Sequence, residues 1–302
     1  MVTGPTASGK SALAVELAKK LDTDIISADS RQIYTSIPIT TAIPTEEEKE
    51  GVIHHLMDIL PLDAYYSAAR FQEDANPILE RLFQKKETAI VCGGSMLYID
   101  ALLNGIDELP TINKDFRLAL MNEWKEKGNE WLLEKLKILD PAYYLKVDLK
   151  NLKRVFHAVE ISLTAKVPYT SLLTRRHKTL SEDLPFNVLK ICLNGPRDLL
   201  FEKINNRVIR MMNQGLEEEA QRVYPLRHLN SLNTVGLKEM FDMFDGKLTR
   251  SEAVARIQKN TRVYAKKQLT WHKNDNILSY LDFTDTNNYN VEKIINLLNQ
   301  KS

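Results

Sequence analysis

A chain of 302 residues, 43% hydrophobic and 27% charged, reads as an ordinary globular protein with room for one large domain or two smaller ones. Lys and Arg total 41 against 40 Asp and Glu, so any attraction to nucleic acid must come from local clusters of charge. The two cysteines, Cys92 and Cys192, form neither a disulfide framework nor a zinc pattern, which suits a reducing cytoplasm, and no run of about 18 apolar residues marks a membrane span.

In chain order, Met1 to Thr3 reads as a first strand so short that a trimmed N-terminus is expected. Ser11 to Leu21 follows as a helix whose apolar face is Leu13, Ala14, Leu17, Ala18 and Leu21. Asp24 to Ala28 and Thr88 to Cys92 are apolar strand runs, with a helix predicted over Ala68 to Phe83. This alternation predicts an α/β core built on a parallel sheet. Strand signals then stop from about Ile112 to Leu184, where Lys-, Glu-, Leu- and Trp-rich stretches predict helices over Lys114 to Lys127 and Asn129 to Leu139. A strand returns at Val188 to Leu193, and Pro196 opens another helical region. We therefore expect a core formed by 1–112 and 186–302, interrupted by a helical insertion at 113–185.

Gly4, Pro5, Thr6, Ala7, Ser8, Gly9, Lys10 and Ser11 match the phosphate-loop pattern of two glycines, Lys and a hydroxyl residue. Such a loop turns backbone N–H groups onto phosphate oxygens, adds the charge of Lys10, and offers Ser11 to Mg²⁺. ATP or GTP is the usual ligand, yet Thr88 to Cys92 runs into Gly93-Gly94-Ser95 where the metal-holding acid of nucleotide hydrolases and kinases is expected. Pyrophosphate without a nucleoside stays open as the ligand. Asp29 and Ser30 follow a strand and belong at the same carboxyl edge as the loop, although Asp29 serves equally well as a cap of the next segment. Near the C-terminus, Ala253 to Asn274 carries six Lys or Arg and no Asp or Glu, with Lys259, Arg262, Lys266 and Lys273 on a shared helical face and Tyr264 and Trp271 interleaved. That stretch fits either an RNA contact or a solvated helix.

Taken together, the motifs resemble the tRNA dimethylallyltransferase family in order along nearly the whole chain, in its bacterial form without a zinc-finger tail. The phosphate loop is followed by Asp29-Ser30-Arg31-Gln32, Thr41 to Thr45, His54 to Asp58 with Tyr66-Ser67-Ala68, Gly93 to Tyr98, Lys153-Arg154, Gly215-Leu216, Gly236 to Glu239, and Thr261 to Trp271. Ser95 stands where the family usually has Thr, and His157 where it has Arg. The resemblance implies transfer of a dimethylallyl group from dimethylallyl diphosphate to N6 of the adenosine 3′ of the anticodon. It implies Asp29 as general base, Ser95 as a positioning hydroxyl, and Lys10, Arg262 and Mg²⁺ at Ser11 as stabilisers of the leaving pyrophosphate. Contacts to the tRNA anticodon stem-loop are implied for Asp29, Ser30, Arg31, Gln32, Ser95, Arg117, Lys153, Arg154, His157 and Lys266, with 113–185 gripping the stem-loop. A monomer is the default expectation. Two other classes compete: a phosphate-loop kinase for a nucleotide or metabolite, with the insertion as lid, and a non-catalytic RNA-binding protein.

Overall fold

The computed structural model describes residues 1–173, 184–273 and 278–300. The chain divides into two compact units, Met1–Leu103 with Ser181–Ser302, and Asn104–Leu180. The end of the basic stretch at Asn274 and the 174–183 part of the insertion lie outside the described residues.

The first unit holds a six-stranded sheet of β1 (Val2–Thr3), β2 (Ile25–Ser27), β3 (His54–His55), β4 (Ile90–Cys92), β5 (Lys190–Asn194) and β6 (Leu278–Asp282). The order is β3-β2-β4-β1-β5-β6 and every pairing is parallel. An all-parallel sheet must be covered on both faces, which explains the continuous apolar runs of β2 and β4. Its core joins Val2, Ile25, Ile90 and Ile191 to Leu13, Ala14 and Leu17 of the helix Lys10–Leu21 and to Leu200 and Ile204 of the helix Arg197–Asn213. Two strands escape the sequence pattern. β3 is two half-buried histidines, paired to β2 through Ile25↔His54, and β6 alternates at the sheet edge beside β5.

The topology decides what meets at the carboxyl edge. β2, β4 and β1 are neighbours, so the segments that leave them, Asp29–Gln32, Gly93–Ser95 and the phosphate loop, emerge side by side. Close backbone packing welds two of them: Ala28 N–H donates to Cys92 O at 2.8 Å, and Ser95 N–H to Ala28 O at 3.1 Å. A Cβ on Gly93 would lie 2.1 Å from Ala28 O, so only glycine fits there.

The second unit carries no strand among its described residues. The helix Lys114–Leu139 is broken at Gly128, whose φ of 82° and ψ of −179° separate the two helices that the sequence predicts. Leu120, Leu132 and Leu136 pack with Val155, Phe156 and Val159 of the helix Leu152–Ala165, giving this unit its own core. No helix among the described residues is long and apolar enough to cross a membrane.

Candidate active site

The phosphate loop is shaped for an anion. Gly4, Ala7 and Gly9 take positive φ values of 148°, 66° and 92°, which curl the backbone ahead of the helix Lys10–Leu21. Ser8 Oγ is buried and has no hydrogen-bond partner among the described residues. A buried hydroxyl left alone costs stability unless a ligand completes it. Among the described residues, Lys10 Nζ hydrogen-bonds only to Pro5 O, at 3.5 Å. Burial lowers the pKa of Lys10, and the neighbouring charge of Arg207 lowers it further, while Cys92 and Asp29 oppose the shift. Arg207, from the middle of the helix Arg197–Asn213, is likewise pushed down by burial. Two desolvated cations facing one space favour a multiply charged anion between them.

Two cavities share Lys10, Ser11, Ala42, Pro44 and Arg207. One, of about 70 Å³, is lined also by Thr6, Ser27, Asp29, Gln32, His54, Gly93, Tyr264 and Gln268. The other, of about 990 Å³, opens past Lys203, Asn206 and Arg210. An anion at their junction would touch the loop, both cations and the Ser11 hydroxyl, with Asp29 beside it.

Asp29 caps the turn that follows β2. Its Oδ1 accepts from the N–H of Arg31 at 2.9 Å and of Gln32 at 3.4 Å, a turn-capping arrangement. Its Oδ2 takes no hydrogen bond among the described residues, so the cap leaves one oxygen able to take a proton in the cavity. The side chains after it hold the loop. Arg31 Nη1 donates to Asn230 O at 2.9 Å and Ser231 O at 3.2 Å, and Nη2 to Asn233 O at 3.4 Å. Gln32 accepts from Ser27 Oγ at 3.1 Å and donates to Thr41 O and Ala42 O, both at 3.1 Å. Ser30 is half-buried in the same turn, and Ser95 is buried at the start of the neighbouring one.

The other candidate residues are placed elsewhere. Arg262 borders neither cavity: its Nη1 donates to Asn205 Oδ1 at 2.5 Å and its guanidinium lies 5.9 Å from the Phe201 ring. Arg207, which the sequence analysis does not single out, lines both cavities with Lys10. The signal for it was legible, since Arg207 falls on the stripe of Leu200, Ile204 and Met211, where a cation is out of place unless it serves a site. Lys266 is exposed, with Nζ 5.5 Å from the Phe201 ring. In the second unit, Arg117 grips the fully buried Glu160 with two bonds of 2.6 Å, Nε to Oε1 and Nη2 to Oε2. His157 Nδ1 stands 3.9 Å from Glu160 Oε2, and burial lowers its pKa despite that carboxylate. Lys153 and Arg154 are exposed.

Among the described residues, no group of three or more His, Cys, Asp or Glu could hold a metal ion. Mg²⁺ still fits the Ser11 hydroxyl at the cavity junction, because that cation keeps most of its waters and takes its remaining oxygens from a phosphate ligand.

A phosphate loop at the carboxyl edge of a parallel sheet, with an acid in place beside it but none at the end of β4, defines a phosphate-loop enzyme outside the usual nucleotide-hydrolysing arrangement. The particular lineage follows from comparison. The IPP transferase family profile matches residues 32–275. The chain is 46% identical to tRNA dimethylallyltransferase 1 of Phocaeicola vulgatus over 91% of its own length and 90% of that protein's. It is 43% identical to tRNA dimethylallyltransferase 2 of Azobacteroides pseudotrichonymphae over 100% and 97%. The crystal structure of the full-length tRNA isopentenylpyrophosphate transferase from Bacillus halodurans superposes with a TM-score of 0.73 at 33% identity, covering 99% of this chain and 95% of that one. The chain belongs to the IPP transferase family of tRNA dimethylallyltransferases.

Proposed function

We propose that this protein transfers the dimethylallyl group of dimethylallyl diphosphate to N6 of the tRNA adenosine on the 3′ side of the anticodon, giving N6-isopentenyladenosine. The observation that carries the reading is that Asp29, whose Oδ2 takes no hydrogen bond among the described residues, lines the same small cavity as Lys10, Ser11 and Arg207. That arrangement sets a base for the acceptor beside a cradle for the leaving group.

Adenine N6 is a weak nucleophile, since its lone pair is delocalised into the ring, and the base must leave its stack to reach the site. As the N6–C1 bond forms, the C1–O bond to pyrophosphate breaks and its electron pair departs with the phosphate oxygen. The N6 proton passes to Asp29 Oδ2. Charge grows on the leaving oxygens, so the loop N–H groups, Lys10 and Arg207 stabilise the transition state more than the ground state. Mg²⁺ at Ser11 would supply further charge neutralisation on the phosphates. Arg262 joins that cradle only by releasing Asn205 Oδ1.

On the acceptor side, Asp29, Ser30 and Ser95 meet the flipped base. Lys266 and, in the helical unit, Lys153, Arg154 and His157 offer contacts to the anticodon stem-loop, which would make 113–185 the tRNA-gripping domain. Arg31, Gln32 and Arg117 reach RNA only by exchanging their present carbonyl and carboxylate partners. Incubation with radiolabelled dimethylallyl diphosphate, Mg²⁺ and unmodified tRNA tests the reading. Label should move to tRNA; consumption of ATP with a small acceptor, or RNA binding without transfer, would contradict it.

A further inference from the structure

The helix Arg250–His272 crosses the carboxyl edge and places one neutral side chain between the two halves of the site. Gln268 is 2% exposed. Its Oε1 accepts from Thr6 N–H in the phosphate loop at 2.9 Å, and its Nε2 donates to Gly94 O at 2.9 Å. Thr6 belongs to the segment that would cradle the donor, and Gly94 precedes the hydroxyl of Ser95 on the acceptor side. Gln268 also lines the small cavity with Asp29, Lys10 and Arg207.

The neighbourhood is built around that amide. A Cβ on Gly94 would stand 2.4 Å from Gln268 Nε2, so any larger residue there would push the amide out of its present place. One helical turn earlier, Tyr264 Oη donates to the same Gly94 O at 3.4 Å, and burial pushes its pKa up to about 12. One turn later, His272 Nε2 lies 3.1 Å from Thr3 Oγ1, at the end of β1. Residues 264, 268 and 272 recur every fourth position, so one helix face carries all three contacts.

We infer that Gln268 is a positioning residue that fixes the distance between the donor loop and the acceptor turn, an inference that rests on the prenyl-transfer reading above. Each end of its amide makes one bond to main chain, so neither loop can shift without breaking a buried hydrogen bond. In-line attack at an allylic carbon requires the two substrates to be held within a fraction of an ångström of a productive separation, and a bridge of fixed length between their cradles supplies that constraint. The amide needs no charge and no proton transfer to do this.

Single-turnover prenyl transfer at saturating tRNA and donor, with radiolabelled dimethylallyl diphosphate, separates positioning from mere folding. Gln268→Met keeps length and apolar bulk but loses both bonds, and Gly94→Ala drives the amide away from the turn. Each variant should lower the rate constant about 10- to 100-fold while the final amplitude stays native, and the double variant should lose little more than the worse single one. Affinities for inorganic pyrophosphate and tRNA should move by less than about threefold. A reduced amplitude at a native rate constant would mean a partly misfolded population and would overturn the role. Rate constants within about threefold of native in both variants, or additive losses in the double variant, would overturn it as well. If native protein transfers no label, the prenyl-transfer reading fails and this inference with it, whereas an active native protein with indifferent variants sinks Gln268 alone.

Discussion

The phosphate-loop edge and the arginines at 31, 117 and 262 use polar side chains in opposite ways. At the loop, Ser8 Oγ and Asp29 Oδ2 have no hydrogen-bond partner among the described residues, and Lys10 and Arg207 are cations whose charge burial disfavours. At the other positions, equally conspicuous arginines are engaged: Arg31 by three carbonyls, Arg117 by Glu160 and Arg262 by Asn205. A folded protein satisfies most of its buried polar groups, so several incomplete ones gathered beside one cavity point to a ligand there. Charge in the sequence identifies candidates; only packing separates the incomplete from the satisfied.

The largest effect should follow from emptying the cradle. Lys10→Ala should lower kcat/KM by about 10³-fold, acting through the donor and leaving tRNA affinity nearly unchanged, as steady-state titration of each substrate would show. The same residue predicts a pH dependence. Burial lowers the Lys10 pKa, so the free protein loses this charge at lower pH than an ordinary lysine would. Pyrophosphate affinity should therefore weaken as pH rises toward the ordinary lysine range, with proton uptake on binding measurable by calorimetry in buffers of different ionisation enthalpy. Lys10→Ala should flatten that dependence.

Arg207 against Arg262 sets the comparison on two arginines. Arg207→Ala should cost about 10²- to 10³-fold in prenyl transfer, the usual worth of one donor to a developing anion. Arg262→Ala should cost less than about tenfold, because its guanidinium sits on Asn205 and Phe201. Equal losses would erase the distinction between engaged and incomplete groups.

For Arg117 the readout is stability. Removing it takes both short hydrogen bonds from the fully buried Glu160 carboxylate, although the arginine's own half-exposure and His157 nearby moderate the loss. Arg117→Ala should destabilise the protein by about 2 kcal/mol in urea unfolding, and adding Glu160→Gln should recover part of that. Smallest are the exposed cations. tRNA affinity should fall with salt at about 0.7 to 0.9 counterions per phosphate contact, and charge reversal at Lys266 or Arg154 should reduce the slope by about one contact. A salt-independent affinity would remove the case for a basic RNA-binding surface.

These differences also explain what the sequence conveyed. Local periodicity and motif spacing gave the phosphate loop, the helix Ala68–Phe83 and the helix break at Gly128, because each depends on residues within a few turns of one another. β3 was hidden, since two histidines become a strand only by pairing with β2. Arg207 sits inside an amphipathic helix, where only its place on the apolar stripe sets it apart, and Gln268 sits within the stretch Thr261 to Trp271 with no local signal of its own. Both owe their importance to contacts with segments nearly 200 residues or more away, here the phosphate loop. The sequence offers a cap and a base as alternative uses for Asp29; in the fold Oδ1 caps the turn, and the base role of Oδ2 is our proposal.

That division of labour is the central claim, and Asp29→Asn tests it most directly. Asn keeps the carbonyl oxygen that caps the turn and removes only the basic oxygen, so stability and the dissociation constants for donor and tRNA should stay near native. The single-turnover rate of prenyl transfer at saturating substrates should fall roughly 10²- to 10⁴-fold, the usual contribution of a general base. A mutant rate within about threefold of native would leave Asp29 as a cap and nothing more, and the acceptor proton would need another destination.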